Sequence, residues 1–330
     1  MRTEVLVADE TAIRRAAEVI RGGGLVAFPT ETVYGLGADA LNERAVRRIF
    51  EAKERPSDNP LIVHIAQTQE LERLARAIPE RAWDVAQRFW PGPLTLVLER
   101  AACVPTVTTG GLETVAVRVP AHPVAQQLLR ESGCPIAAPS ANRFGRPSPT
   151  RAQHVLEDLN GRIELILDGG PTLVGLESTV LDMTQDPPMV LRPGGVTLEE
   201  LRAVLGEVRT LEPTDREAAR RSPGTRYRHY APQAKLLLAE YGQAEVLVRE
   251  LLAQGRRVGV LLQRALKLGD GDLVVQQMPT DLESYAQQLF AALRELDAQG
   301  VDVIVVESVE ERGLGRAIMD RLRRAAGRTY

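Results

Sequence analysis

Leu25-Val-Ala-Phe-Pro-Thr-Glu-Thr-Val-Tyr-Gly-Leu-Gly37 is the stretch on which the fold turns. Its first four residues form a short apolar run that follows Gly22-Gly23-Gly24 and ends at Pro29, the pattern of a buried strand. Ahead of it, Asp9 to Arg21 repeats apolar residues at helical spacing (Ile13, Ala16, Ala17, Ile20) and stops at the glycines. A strand that opens into Thr30, Glu31, Thr32, Gly35 and Gly37 has the character of the loops where open α/β sheets hold ligands. Taken alone, the stretch reads equally well as a glycine turn with hydroxyl capping. It is not a Walker loop, because no G-x-x-x-x-G-K-[ST] occurs, and Gly35-x-Gly37 lacks the third glycine of a dinucleotide fingerprint.

The same alternation continues outward. Asn42 caps a predicted helix through Glu51, and Pro56 disfavours helix at Arg55, which leaves Lys53 and Arg55 at a frayed helix exit. A strand is predicted at Leu61–Ala66, helices at Glu70–Ala77 and Glu80–Phe89, and strands at Leu94–Leu98 and Val115–Val119. A helix over Val124–Leu129 and a strand over Pro135–Ala138 lead to Ser140, and Thr150-Arg-Ala-Gln153 reads as a capping box opening another helix. Further strands are predicted at Ile163–Leu167, Thr179–Leu181 and Met189–Leu191, and a capping box at Thr197–Glu200 opens a helix to Leu205. Residues 207–233, with Pro213, Pro223, Gly224 and Pro232, read as a linker. Beyond it, strands (Lys235–Leu238, Val258–Leu262, Val301–Val306) alternate with helices (Glu245–Ala253, Leu282–Leu296, Leu314–Ala325), which predicts a small parallel three-layer domain.

Bulk properties narrow the class. A length of 330 residues suits two domains, and 44% hydrophobic and 26% charged residues with a net charge of −3 suit a folded protein. With no long apolar run and no signal pattern, a cytoplasmic, non-membrane protein is expected. Balanced charge argues against a general nucleic-acid coat, although a local positive groove remains open. Cys103 and Cys134 match no zinc spacing, are read as ordinary buried thiols, and no metal-ligating cluster is expected. Lys53 is the only lysine in the first 234 positions of an arginine-rich chain, which suggests a need for a compact ammonium there.

Three loops look chemical. Beside residues 29–37 stands Lys53-Glu-Arg-Pro-Ser-Asp-Asn-Pro60, where a point charge and a planar fork two residues apart can converge on one anion, and where Asn59 otherwise reads as a turn residue. Simple complementarity to the helix dipole is the plainer reading of that pair. His64 lies in a strand, on the face opposite Leu61, Val63 and Ile65, and so can look into a cleft or sit bonded in the core. In Ala138-Pro-Ser-Ala-Asn-Arg-Phe-Gly-Arg-Pro-Ser-Pro-Thr150, Ser140 and Asn142 point the same way if extended, with a surface loop as the alternative. Ser178 at a strand start and Arg192 at a strand end complete the set. These are anion ligands without a strong nucleophile, which suits positioning and electrostatics at a phosphoryl group of ATP.

Together, Phe28–Gly37, Lys53-x-Arg-Pro-x-x-Asn-Pro-Leu61, Pro139–Asn142 and Ser148-Pro-Thr150 resemble the YrdC-like family of threonylcarbamoyl-AMP synthases, over roughly residues 10–205. The linker Ser222–Pro232 with an α/β domain behind it resembles that family's long two-domain form. The resemblance implies an α/β fold with a twisted mixed-sheet catalytic domain (1–206), a linker or lid (207–233) and a smaller Rossmann-like C-terminal domain (234–330). It implies a nucleotidyltransferase that makes L-threonylcarbamoyladenylate and pyrophosphate from L-threonine, bicarbonate and ATP, with Mg²⁺, for threonylcarbamoyladenosine in tRNA. It further implies a catalytic tetrad of Lys53, Arg55, Ser140 and Asn142, and threonine held by Thr32, His64, Arg118 and Ser178. Arg55, Asn59, Thr114, Ser140, Ser148 and Arg192 would hold ATP, with His229 or Tyr230 closing over it. The product would pass to a tRNA threonylcarbamoyl transferase complex. Thr225 and Phe144 depart from the family's usual Met and small polar residue.

Two rivals follow from the same segments. One is a hydrogenase-maturing carbamoyltransferase, whose zinc-finger cysteines are missing here. The other is an RNA-binding module of this fold, and a weak RNA contact is compatible with the synthase reading too. The C-terminal domain shows no phosphate loop or catalytic cluster in its sequence, and could support the lid, bind a partner or dimerise.

Overall fold

The computed structural model describes residues 2–212, 214–224, 229–264 and 271–327. Thr225, one of the two departures from the family pattern, lies outside them. The first domain is built on one mixed sheet of twelve strands. Its order is Glu4–Val7, Leu165–Asp168, Val26–Pro29, Tyr34–Asp39, Ile136–Ala137, Ile62–His64, Thr114–Arg118, Leu94–Arg100, Thr179–Asp182, Met189–Arg192 and Arg209–Thr210, with Ala75–Arg76 beside Leu94–Arg100. The central strands are buried on both faces, as expected of near-continuous apolar runs. Helices Glu10–Arg21 and Pro123–Ser132 seal one face over Val26, Phe28, Leu165 and Leu167. Helix Glu43–Lys53 seals the other over Ala27, Leu36 and Val63.

The second sheet runs Lys235–Ala239, Val303–Glu307, Val258–Leu262, Leu273–Gln277, all parallel. Alternate residues feed opposite faces: Ile304 and Val306 pack with helices Leu282–Ala298 and Gly315–Ala325, Val303 and Val305 with helix Ala244–Ala253. That is the expected three-layer arrangement.

Several local expectations are corrected. Residues 29–37 are not a loop: Thr30 closes a tight turn by donating its hydroxyl to the Val33 carbonyl (2.7 Å), and Tyr34–Asp39 returns antiparallel to Val26–Pro29. Gly37 is required there because a Cβ would fall 2.7 Å from the Phe28 ring and 2.8 Å from Ile136. The helix predicted at Glu70–Ala77 shrinks to Leu71–Leu74, because Ala75–Arg76 pairs with Leu94–Arg100 instead. Thr150 caps nothing. Its backbone N–H donates to His154 Nδ1, and the helix Ala152–Leu159 starts at Arg151 without a side-chain cap. The linker holds a helix, Arg216–Arg220, and strand Arg209–Thr210. Cys103 is exposed, with its thiol against the Arg73 carbonyl.

The two sheets belong to one interlocked body. Helix Leu282–Ala298 lies so close to Gly175 that a Cβ there would fall 2.3 Å from the Gln287 Cα. From the same helix, buried Arg294 donates to Asp158 (2.7 Å) and to the Pro147 carbonyl (2.6 Å). Asp158 is fully buried and also receives Arg146 and the Arg143 N–H. The loop that follows Ser140 is thus held from behind by the C-terminal domain.

Candidate active site

A cavity opens where the ends of Val26–Pro29, Ile62–His64 and Thr114–Arg118 meet the linker. Its walls include Thr32, Arg55, His64, Arg118, Ser140, Ser178, Arg192, His229 and Tyr230. Three arginines, Arg55, Arg118 and Arg192, therefore line one cavity. Each is more than nine-tenths buried.

Arg118 is fixed on three sides. Its Nε donates to the Gly92 carbonyl (3.0 Å) and its Nη1 to Thr32 Oγ1 (2.9 Å). Its Nη2 lies 2.6 Å from a Glu31 carboxylate oxygen, out of line for a hydrogen bond. Both Glu31 oxygens and His64 Nδ1 also lack hydrogen-bond partners. Buried polar atoms left unpaired are costly, so this cluster is built to receive a charged, polar ligand. Arg192 is anchored through Nε and Nη2 to the Ser178 carbonyl (3.2 and 3.0 Å) and through Nη1 to the Pro223 carbonyl of the linker (3.2 Å). Burial pushes its pKa down from the ordinary arginine value.

The remaining expected site residues fall outside the wall. Lys53 is the last residue of its helix and is buried rather than frayed, since Glu54 turns left-handed behind it. Its ammonium donates to the carbonyls of Ser140 and Asn142 (both 2.5 Å), and its own carbonyl accepts from the Phe144 N–H (2.9 Å). Asn142 likewise spends its amide on the carbonyls of Arg143 and Arg146. Half of the tetrad therefore shapes the 140–146 loop and half, Arg55 and Ser140, faces the cavity. Asn59 is buried behind Arg55, whose Nη2 donates to its carbonyl (3.3 Å). Thr114 sits at the half-exposed start of its strand. Ser148 is fully buried, with its hydroxyl on the Glu177 carboxylate. Phe144 packs edge-on against His229 (5.5 Å) and under Arg55 (5.8 Å), so the family departure at this position meets the linker.

Two contributors were not singled out from sequence. Glu177 lines the cavity, and its only signal was its place next to Ser178. The C-terminal domain, expected to carry no cluster, buries Asp320, Arg321 and Arg324 against the site. Mg²⁺ finds no ready cradle: no group of three His, Cys, Asp or Glu could hold a metal among the described residues. Glu177, the one acidic residue of the wall, is engaged by Ser148 and Arg321.

All four histidines are held neutral. Burial first, and Arg118 second, pushes His64 down to about 3; burial and then Arg294 take His154 to about 4, and His122 and His229 are lowered as well, chiefly by burial. The unfolded chain takes up these protons near pH 6.5 and the folded chain only below that value, so stability is intact above it and falls as the pH drops through it. For His64 alone the loss should be about 2 kcal/mol by pH 5. Urea midpoints at pH 7.5 and 5 should show it, and His64→Gln should shrink the difference by the His64 share; an unchanged difference would refute the assignment.

Comparisons with known proteins identify the family. Residues 18–194 match the Sua5_yciO_yrdC family, described as telomere recombination, and residues 196–327 match the Sua5_C family, described as threonylcarbamoyl-AMP synthase, C-terminal domain. The chain belongs to the Sua5/YciO/YrdC family. It is 54% identical to the threonylcarbamoyl-AMP synthase of Pyrococcus abyssi (97% of this chain, 95% of the relative) and 50% identical to that of Bacillus subtilis (98% and 96%). It superimposes on the crystal structure of P. abyssi Sua5 complexed with L-threonine with a TM-score of 0.92, at 52% identity, over 99% of this chain and 97% of the other. No helix among the described residues is long and apolar enough to cross a membrane.

Proposed function

We infer that the chain is an L-threonylcarbamoyladenylate synthase, a nucleotidyltransferase that joins L-threonine, bicarbonate and ATP into threonylcarbamoyl-AMP and releases pyrophosphate. The observation that carries the reading is the convergence of buried Arg55, Arg118 and Arg192 on one cavity, in a chain whose relatives over the full length are named for this activity. The RNA-binding alternative is not favoured, because each of these arginines is more than nine-tenths buried, out of reach of a nucleic-acid backbone.

The amino acid fits the end formed by Thr32, His64, Arg118 and Ser178, with its carboxylate on the Arg118 guanidinium. The threonine amine takes up bicarbonate, losing water, to form a carbamate. A carbamate oxygen then attacks the α-phosphorus of ATP in line, the P–O bond to the β-phosphate breaks, and pyrophosphate leaves. Arg55 and Arg192 neutralise phosphate charge, with Ser140 beside them. Lys53 and Asn142 act through the shape of the 140–146 loop, while Asn59, Thr114 and Ser148 require the nucleotide to reach beyond the present wall.

The cavity as it stands is about 40 Å³, far below the ~300 Å³ at which ligand pockets begin. ATP therefore needs Pro223, Gly224, His229 and Tyr230 to draw back, which makes the linker a lid. A tRNA threonylcarbamoyl transferase complex is the proposed consumer of the adenylate, in the cytoplasm.

Pyrophosphate release from ATP should require L-threonine and bicarbonate together. Release indifferent to threonine, or none, would overturn the assignment; RNA retention with a steep salt dependence and no release would restore the binding-module reading.

A further inference from the structure

The C-terminal helix Gly315–Ala325 reaches the active site through one side chain that touches three parts of the molecule. Arg321 is 1% exposed. Its Nε donates to Glu177 of the cavity wall (2.8 Å) and its Nη1 to Asp320 (2.6 Å). Its guanidinium lies 5.3 Å from the centre of the Tyr230 ring, in the linker. Glu177 in turn accepts from Ser148. Next to it, Arg324 holds the linker's Gly224 carbonyl (2.9 Å) while paired with Asp320.

This layout answers an electrostatic problem. Glu177 is the one acidic residue in a wall otherwise equipped for anions, and a bare carboxylate there would repel a triphosphate. Charge balance is set from outside the catalytic domain, by an arginine whose Nη2 still has no hydrogen-bond partner. We propose that Arg321 is a positioning residue for ATP. It cancels the Glu177 charge, fixes Glu177 and Ser148, and aligns them with Tyr230, so that the C-terminal domain completes the nucleotide half of the site. The proposal rests on the ATP-dependent synthase reading.

The test compares full-length Arg321→Gln, Arg321→Lys and Glu177→Gln/Arg321→Gln by steady-state pyrophosphate release, with threonine binding measured separately by calorimetry. Arg321→Gln should raise the ATP KM about tenfold or more, as expected when a buried charge loses its partner, and leave threonine affinity within about threefold. The lysine variant should stay close to wild type in ATP KM. Removing the Glu177 charge as well should recover much of the loss, and that pair also covers the case in which the single glutamine variant fails to fold. An unchanged ATP KM in Arg321→Gln, equal damage to both substrates, or a double variant no better than the single would overturn the proposal. Wild-type protein lacking threonine-dependent release would instead overturn the synthase reading.

Discussion

Arg118→Met should lower kcat/KM for threonine by about a thousandfold, since truncating one partner of a buried charge pair costs 2–5 kcal/mol and each 1.4 kcal/mol is a decade. The guanidinium is locked by the Gly92 carbonyl and Thr32, with Nη2 set against Glu31 but without a hydrogen bond. Of the three arginines in the wall, Arg118 is the one that donates to Thr32, whereas Arg192 is held on Ser178 and the linker. The single variant also strands Glu31, a buried carboxylate 2.6 Å from Nη2, which should cost a further ~3 kcal/mol of stability. Glu31→Gln/Arg118→Met separates the two effects: the fold should recover and the activity should not. Activity within tenfold of wild type in either variant would remove Arg118 from the threonine site.

Lys53→Met should reduce kcat by about two orders of magnitude while leaving threonine affinity nearly intact. The side chain is buried, and its ammonium holds two carbonyls of the loop that presents Ser140. Two orphaned buried carbonyls cost ~1–3 kcal/mol each, and the loop can avoid that only by moving. Burial and the Arg55 charge beside it already push the Lys53 pKa well down, with Asp158 opposing, so the position tolerates a cation only because the loop wraps it. Lys53→Arg should fail too, since a planar fork cannot replace a compact point donor in a closed space. Pyrophosphate release and threonine calorimetry on the same samples decide the matter. Equal loss of kcat and of threonine affinity would mean that Lys53 does more than shape the loop.

Much of the architecture was legible because it depends on local signals. Apolar period and caps place the helices over Glu10–Arg21 and Glu43–Lys53, and the parallel three-layer end, within a residue or two. What stayed hidden depends on partners far away in sequence. The strand Tyr34–Asp39 looked like a loop because its glycines, which signal turns locally, are there to admit Phe28 and Ile136. Strand Leu273–Gln277 has a half-exposed edge pattern that alternation does not flag. Among site residues, the types at positions 53, 55, 118, 140 and 192 pointed to anion chemistry, but no sequence pattern tells a lysine facing ligand from one facing backbone. Glu177 and Arg321 are 144 residues apart, and nothing near either one announces the other.

The Arg294–Asp158 contact bears on how far the first domain depends on the second. The Asp158 side chain has no exposed surface, and part of its countercharge comes from the second domain. Deleting that domain would leave an aspartate, and the loop carbonyl of Pro147, without the arginine that satisfies both. Each half has become part of the other's solvent, and a chain that lost the second would meet water where Arg294 now stands, with Arg146 still facing Asp158.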